Sequence, residues 1–354
     1  MISWRRGTVV AQGRRWPGAL ELAVDVAGAA PSGRLRALAY PSLVGTPEPG
    51  DTVLLNVSAL ALGLGTGGYA LVVAVPDRLP PDPDGPGHLV KARYTPLQQV
   101  VLGADEQDSP HHGALAAGDP LPAPGMPVVV ADLHSSLPAV VAGLQAARPG
   151  TRVAYVMTDG GALPLAFSRT VGELADRLAG TVTVGQAYGG DVEAVTLHSG
   201  LLAAHHVLGA QACVVIQGPG NLGTGTAWGF SGVACGEAVN AAGAVGGRPV
   251  GVLRMSEADP RPRHRGVSHH SLTAYGRVAL VPADVVVPSS YAALAGPLPE
   301  LARHRVVEVD DTGLRDVLAG CGLPLSTMGR GLDEDPVAFL AAAAAGRHVA
   351  GLLA

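Results

Sequence analysis

The first 76 residues consist of short apolar runs separated by turn-forming residues. A turn at 48–51 and a glycine-rich connection at 63–68 divide these runs. Short apolar runs bounded by such residues are typical of strands. The runs are 7–10, 20–26, 34–40, 51–56 and 69–75. The pattern predicts a small antiparallel β-barrel over residues 1–76.

The next stretch of the chain has little periodicity. Proline and aspartate dominate residues 76–87, and residues 105–127 are polar without a repeating apolar position. We therefore expect a linker and interdomain segment over residues 77–125. Within it lies PGHLVKARYTPLQ (86–98), which is rich in distinctive side chains.

From residue 126 onwards, valine-rich runs alternate with helical segments. Near-continuous apolar strands separated by helices are typical of a parallel sheet that is covered on both faces. Residues 126–354 are therefore predicted to form a doubly wound α/β domain with a mainly parallel sheet. The predicted strands are 128–131, 153–157, 182–184, 214–216, 250–254, 278–281 and 305–309. The predicted helices are 137–147, 170–178, 191–208, one that ends near 244, and an alanine-rich helix at 335–354.

Composition narrows the classes of partner. The 354 residues carry 24 basic and 29 acidic side chains, and this net charge of −5 disfavours nucleic acid and anionic membranes as partners. No apolar stretch reaches the roughly 18–20 residues of a membrane span, and we expect no secretory signal. The three scattered cysteines contain no CxxC pair, which disfavours a disulfide framework and a structural zinc site. These features favour a cytoplasmic protein, and an oligomer is compatible with them.

Polar and small residues follow successive predicted strands. Asp132 and His134 follow the first strand, and Asp159, Gly160 and Gly161 follow the second. Further along the chain come the glycine-rich segment 218–226 and the pair at 269–270. Ligands of open α/β sheets bind beyond the carboxyl ends of the strands. We therefore expect one functional cleft at this edge.

The glycine-rich segment has the spacing G-x-G-x-x-G at Gly218, Gly220 and Gly223. Such a loop after a strand exposes backbone N–H groups to a phosphate at a helix N-terminus. We predict that it binds an anion together with Asn221, Thr224 and Thr226. A dinucleotide site is disfavoured, because that fingerprint normally opens the first βαβ unit and the next strand here ends in an arginine. A purely structural turn is the other alternative.

Histidines and aspartates supply the candidate catalytic groups. His134 and one of the adjacent His269 and His270 are predicted to transfer protons or to bind a divalent metal. Asp132 and Asp159 can serve either purpose. A loop histidine satisfied by local hydrogen bonds and an aspartate that only shapes a turn are the structural alternatives.

Lys91 stands out because it is the only lysine among 24 basic residues. We predict that Lys91 and Arg93 reach from the interdomain segment into the cleft and neutralise the charge of the ligand. A lysine in a solvated linker is the alternative interpretation.

Four stretches together resemble a bacterial family of conserved hypothetical proteins that is classed as a domain of unknown function. They are PGHLVKARYTPLQ (86–98), MTDGGALP (157–164), the glycine-rich segment 218–225 and GVSHHS (266–271). The resemblance extends over most of the chain. It implies no activity, cofactor or catalytic residue.

The sequence thus predicts an enzyme, a hydrolase or group transferase, that acts on a small anionic and phosphorylated molecule. A hydrolytic or transfer reaction suits the predicted groups better than redox chemistry, which rests on the glycine spacing alone. Two alternatives are an NAD(P)-binding oxidoreductase and a non-catalytic ligand sensor or interaction protein.

Overall fold

A computed structural model describes residues 2–353 and shows a closed five-stranded barrel ahead of an eight-stranded sheet. The barrel strands are β1 (Trp4–Trp16), β2 (Ala19–Val26), β3 (Gly33–Ala39), β4 (Thr52–Asn56) and β5 (Ala70–Ala74), with short helices α1 (Pro41–Val44) and α2 (Ser58–Ala61) between them. The strand order is β1-β2-β3-β5-β4, and β4 closes the barrel by pairing with β1. The β3–β5 pair is parallel and the other pairs are antiparallel. The predicted barrel is therefore confirmed, with one parallel pair.

Alternation of side chains builds the barrel core. In β2, Leu20, Leu22 and Val24 are buried on one face, whereas Asp25 on the other face is exposed. Successive side chains of a strand point to opposite faces, so this alternation fills the barrel interior from one face of each strand. Segment 77–125 is not wholly irregular. It contains the hairpin β6 (Leu89–Lys91) and β7 (Gln99–Val101) and the short helix α3 (His112–Leu115).

The second unit is an α/β layer structure. Its strands and small ribbons are β8 (Pro127–Val130), β9 (Val153–Thr158), β10 (Gly180–Thr183), β11 (Val192–Glu193), β12 (Ala212–Gln217), β13 (Arg248–Val252), β14 (Met255–Ser256), β15 (Gly266–Val267), β16 (Asp284–Pro288), β17 (Arg305–Val309), β18 (Ser326–Thr327) and β19 (Arg330–Gly331). Its helices are α4 (Leu137–Ala147), α5 (Arg169–Leu174), α6 (Leu197–His206), α7 (Ala234–Ala244), α8 (His269–Thr273), α9 (Ala292–Ala295), α10 (Leu314–Ala319) and α11 (Pro336–Leu352).

The main sheet has the order β11-β10-β9-β12-β8-β13-β16-β17, and every neighbouring pair is parallel. Helices cover both faces. Helices α6 and α7 pack on the face that presents Val128 and Val130, and helices α4 and α11 pack on the face that presents Val129. All six residues of β12 are buried, as a central strand between two helical layers requires. The predicted doubly wound α/β fold is confirmed.

Two predicted elements are placed differently. The predicted helix 191–208 begins only at Leu197, because Val192 and Glu193 add the edge strand β11 to the sheet. The predicted strand 278–281 is wrong. Val278 ends a π-helical turn that packs against Gly236 of α7, and the strand follows at β16. Both errors arise because a short apolar run has the same pattern in a strand and at the end of a buried helix.

None of the helices between residues 2 and 353 has both the length and the apolarity that crossing a membrane requires.

Helices α4 and α11 pack unusually closely, and this contact can be tested with glycine variants. A Cβ atom at Gly346 would collide with the carbonyl oxygen of Val140, whereas Gly351 on the same helix has open space. We expect Gly346→Ala to lower the free energy of unfolding by about 1–3 kcal/mol, the usual cost of overpacking. Gly351→Ala should leave it unchanged or slightly raised, because alanine favours helix. Urea denaturation of both variants tests this, and equal stabilities would contradict the contact.

Candidate functional site

A cleft of about 520 Å³ lies beyond the carboxyl ends of three central strands. The chain enters the sheet at β8 and runs outward through β9, β10 and β11. It then returns to place β12 and β13 on either side of β8. Open α/β sheets bind ligands where the strand order reverses in this way. Residues that follow β8, β12 and β13 line the cleft, whereas the residues directly after β9, which the sequence also predicts there, do not.

The charged side chains that line this cleft are all basic. Arg169, Arg254 and Arg261 contribute guanidinium groups, and His134 and His270 contribute imidazoles. Within residues 2–353, no aspartate or glutamate lines it. Arginine presents a planar, permanently charged set of donors that suits carboxylate and phosphate oxygens. The cleft is therefore suited to an anion.

The glycine-rich segment forms one wall of the cleft, from Gly218 to Gly223. Gly220 has a φ of +96° and open space around it. Asn221 accepts a hydrogen bond from the Ser231 hydroxyl at 2.8 Å, and its own Nδ2 is buried without a partner in residues 2–353. Folded proteins pair nearly all buried amide donors, so this unpaired donor in the wall of the cleft is an exception.

The expectation that this segment opens a helix is wrong. Helix α7 begins only at Ala234, and residues 222–231 form a closed loop instead. Leu222 N donates to Ser231 Oγ, and Ser231 N donates back to Leu222 O. The hydroxyls of Thr224 and Thr226 lie 3.1 Å apart within the loop, and neither residue lines the cleft. The helix N-terminus that a dinucleotide fingerprint places at the phosphate is therefore not adjacent to these glycines.

His134 belongs to a chain of three hydrogen-bonded side chains. Its Nε2 lies 2.6 Å from the hydroxyl of Ser168, and its Nδ1 lies 3.2 Å from the hydroxyl of Tyr155. Tyr155 donates to the carbonyl oxygen of Ile216 at 3.1 Å. Because a carbonyl only accepts, the Tyr155 oxygen is left to accept from Nδ1–H. This pattern assigns an unprotonated Nε2 that faces Ser168.

Burial lowers the pKa of His134 to about 4, and a hydrogen bond to the Gln217 carbonyl only partly opposes the shift. The imidazole is therefore neutral at neutral pH. Ser168 is 3% exposed, lines the cleft, and also caps α5 by accepting from Val171 N.

Asp132 and the histidine pair lie next to the cleft. His270 lines it and stacks on Phe230, with ring centroids 3.7 Å apart. Asp132 lies behind Arg254, with its Oδ2 at 3.6 Å from Nη1 of Arg254 and 3.7 Å from Nδ1 of His270. His269 does not line the cleft, so one member of the pair faces it, as expected.

The structure does not bring Asp159 into the cleft. Its Oδ2 accepts from Gln186 N at 2.9 Å, and Gly185, with φ of +63°, packs against the same carboxylate. Asp159 therefore holds the turn after β10. Gly160 and Gly161 pack against Gln217 and Gly218 and support the glycine-rich wall from behind.

Lys91 and Arg93 do not reach the cleft either. Lys91 is 2% exposed, and its ammonium donates to the carbonyl oxygens of Ala194, Ala187 and Thr183 at 2.8, 3.1 and 3.5 Å. Burial lowers the pKa of Lys91, and Glu193 at 3.5 Å opposes this shift. Arg93 is exposed and lies over the Tyr94 ring. Lys91 is thus neither a solvated linker residue nor a ligand of the cleft.

Residues 36–346 match the family described as "Protein of unknown function (DUF3866)". The chain belongs to this family. The match contains all four stretches that carry the resemblance in the sequence, and the resemblance is confirmed. A search of curated proteins found no match to the chain.

Sequence reasoning missed several residues of the site in this family member. Ser168 follows a short 3₁₀ turn, and Tyr155 lies inside a buried strand, so neither stands at a strand end. His264 lies in a basic loop, yet its ring is 4.9 Å from that of His270. The serine immediately before a helix was the only local signal for Ser168.

The burial of Lys91 predicts a structural role. Lys91→Met would leave Glu193 and three carbonyl groups without their cation, and we expect it to lower the free energy of unfolding by about 3–5 kcal/mol. Arg93→Met removes one exposed cation and should change stability by no more than about 0.5 kcal/mol. Denaturation of both variants measures the difference. A stable Lys91→Met protein that has lost affinity for anions would instead restore a ligand-binding role.

The lowered pKa of His134 predicts a pH dependence of stability. His134 takes up a proton near pH 6.5 in the unfolded chain and only near pH 4 in the folded chain. The free energy of unfolding therefore has its highest value above pH 6.5 and falls as the pH drops from 6.5 to 4. The neighbours Ser168 and Tyr155 carry no charge there. His134→Gln removes the titrating group, so about 2–3 kcal/mol of the loss of stability between pH 7 and pH 4 should disappear. Urea unfolding at pH 7 and pH 4 tests it, and parallel pH curves for the two proteins would contradict it.

Proposed function

We propose that this protein is an enzyme that hydrolyses a small anionic, phosphorylated molecule or transfers its phosphoryl group. The observation that carries this proposal is the lining of the cleft, which contains three arginines and two histidines without a carboxylate. The three guanidinium groups carry a permanent positive charge and favour an anion over a neutral or cationic ligand. The position of the cleft at the reversal of strand order supports the same conclusion.

The phosphate would be held between the arginines and the glycine-rich wall. Arg169 lies at the start of α5, beside Ser168, and Asn221 lies in the glycine-rich wall with an Nδ2 that has no partner within residues 2–353. Arg261 is anchored by two hydrogen bonds to Asp259, at 2.9 and 2.8 Å. A guanidinium fixed in this way loses less side-chain freedom when it binds a ligand.

Ser168 and His134 are the catalytic pair in this proposal. A serine becomes a nucleophile when an adjacent base accepts its proton and a third group orients that base. His134 Nε2 at 2.6 Å supplies the base, and Tyr155 holds the other ring nitrogen. The low pKa of His134 keeps the base unprotonated at neutral pH.

The reaction proceeds in two balanced steps. Ser168 Oγ gives its proton to His134 and forms a bond to phosphorus, while the bond from phosphorus to the leaving oxygen breaks and that oxygen takes the proton. Water, or an acceptor hydroxyl, then gives a proton to His134 and attacks the phosphoserine. The Ser168 oxygen leaves and recovers the proton. With water the net reaction is hydrolysis, and with an acceptor hydroxyl it is transfer.

A cytoplasmic location is part of the proposal. It is supported by the three cysteines, which are free and buried in the folded chain, as suits a reducing compartment.

The proposal predicts that a single arginine of the cleft controls anion affinity. Arg169→Gln should weaken binding of inorganic phosphate or pyrophosphate about tenfold at low ionic strength, since one charge-assisted hydrogen bond contributes roughly 1.5–3 kcal/mol. Glu173 lies 3.3 Å from Arg169, so Glu173→Gln is the matched control and should bind equally or more tightly. Titration calorimetry measures both. Affinity that is the same in all three proteins would reject the cleft as the anion site.

Turnover distinguishes an enzyme from a sensor that only binds. The wild type should release phosphate from a generic aryl phosphate and carry a phosphoryl group on Ser168 that mass spectrometry detects after rapid acid quenching. Ser168→Ala should retain anion binding, lose turnover, and lose about 1 kcal/mol of stability with its helix cap. Anion binding without turnover across a panel of phosphate esters would favour the sensor.

A further inference from the structure

Three imidazole rings converge beside the cleft, outside the catalytic pair of the proposed reaction. His264 comes from the loop before β15, and His269 and His270 begin α8. The three ring centroids are 4.5–5.0 Å apart. One nitrogen from each ring lies within 4.8 Å of the other two. This geometry brings three nitrogen ligands towards one point.

The hydrogen bonds of the cluster leave ligand atoms free. Nδ1 of His264 lies 2.7 Å from the hydroxyl of Ser268, which fixes the ring and leaves Nε2 as its free nitrogen. Nε2 of His269 is buried and has no hydrogen-bond partner within residues 2–353. A buried polar atom without a partner destabilises the folded chain unless something satisfies it. A metal ion would provide that partner.

The carboxylate of Asp132 lies next to His270 and would offset part of the charge of a bound metal ion. Oδ2 of Asp132 is buried without a hydrogen-bond partner in residues 2–353, and it lies 3.7 Å from Nδ1 of His270. Histidines that bind metals commonly donate their second N–H to a carboxylate. Arg254 Nη1 lies 3.2 Å from the same Nδ1 and donates to it. If a metal binds Nε2 of His270, Nδ1 carries the proton and donates to Asp132, and Arg254 then keeps only its contact with Asp132.

We propose that His264, His269 and His270 bind one divalent transition-metal ion, with Zn²⁺ as the best match. Imidazole ligands suit zinc, cobalt and nickel, whereas Mg²⁺ and Ca²⁺ require oxygen ligands. At metal–nitrogen distances of about 2.1 Å, tetrahedral coordination places the nitrogens roughly 3.4 Å apart, so the rings move together by about 1 Å.

Three protein ligands leave a fourth position of the tetrahedron for water or a ligand oxygen, as in catalytic zinc sites. Because His270 also lines the cleft, the metal would lie next to the proposed anion site. The metal site goes beyond the proposed reaction, whose proton transfers use only His134 and Ser168.

The test measures metal binding by the untagged full chain without any substrate. After treatment with a chelator and dialysis against Zn²⁺, elemental analysis should find one zinc per chain, and Zn²⁺ should raise the melting temperature. Co²⁺ should give the visible absorption of a tetrahedral nitrogen site. Titration calorimetry then gives the affinity.

The variant that decides is His269→Ala, because this ring is only partly buried and its loss should leave the chain folded. It should bind Zn²⁺ roughly 100-fold more weakly or worse, since even outer partners of a metal site contribute 10–100-fold. His198→Ala, which removes an exposed histidine of α6, should bind like the wild type. Circular dichroism confirms folding, and His264→Ala is a second variant.

Wild-type protein that retains no zinc would overturn the proposal. Equal stoichiometry and affinity in wild type, His269→Ala and His264→Ala would overturn it as well, because the metal would then be bound elsewhere. The metal measurements use no substrate, so the two proposals can fail separately. Binding of phosphate in the arginine-lined cleft without binding of zinc would contradict only the metal site. Binding of zinc without binding of phosphate would contradict only the proposed reaction.

Discussion

Backbone packing between the turn after β9 and the loop after β12 determines the shape of the cleft. Side chains at Gly161 and Gly218 would each collide with a carbonyl oxygen of the opposite segment. Ala162 N donates to Pro219 O at 2.8 Å and fixes the approach. Only glycine allows two backbones to come this close. The position of Gly220 and Asn221 in the wall therefore depends on two absent side chains.

Unpaired buried polar atoms concentrate at the same edge of the sheet. Folded proteins pair nearly all such atoms, so each exception needs a physical reason. Of five buried side-chain atoms without a partner in residues 2–353, four belong to residues in or next to the cleft. They are Asp132 Oδ2, Gln217 Oε1, Asn221 Nδ2 and His269 Nε2. The anion and the metal ion proposed above would give these atoms partners.

The sequence was sufficient to predict the barrel, the parallel sheet and the edge at which polar residues meet, because each depends on local patterns and on the parallel strand direction. It was insufficient for residues whose roles depend on contacts distant in sequence. Lys91 is rare in this composition, but rarity does not indicate whether an ammonium faces a ligand or three carbonyls of another loop. The glycine spacing likewise does not reveal that ten further residues separate Gly223 from helix α7.

Arg254 connects the cleft electrostatically to the histidine cluster. It lines the cleft, contacts His270 at 3.2 Å, and shares Asp132 with that ring. The negative charge of an anion in the cleft would offset the positive charge of Arg254. The repulsion between Arg254 and a cation at the histidines would then be weaker. A metal at the histidines would in turn favour an anion in the cleft. Because coupling between two binding equilibria is reciprocal, each ligand must tighten the other by the same factor. The buried carboxylate of Asp132, 3.6 Å from Arg254 and 3.7 Å from His270, offsets part of the charge of Arg254 between the cleft and the histidine cluster.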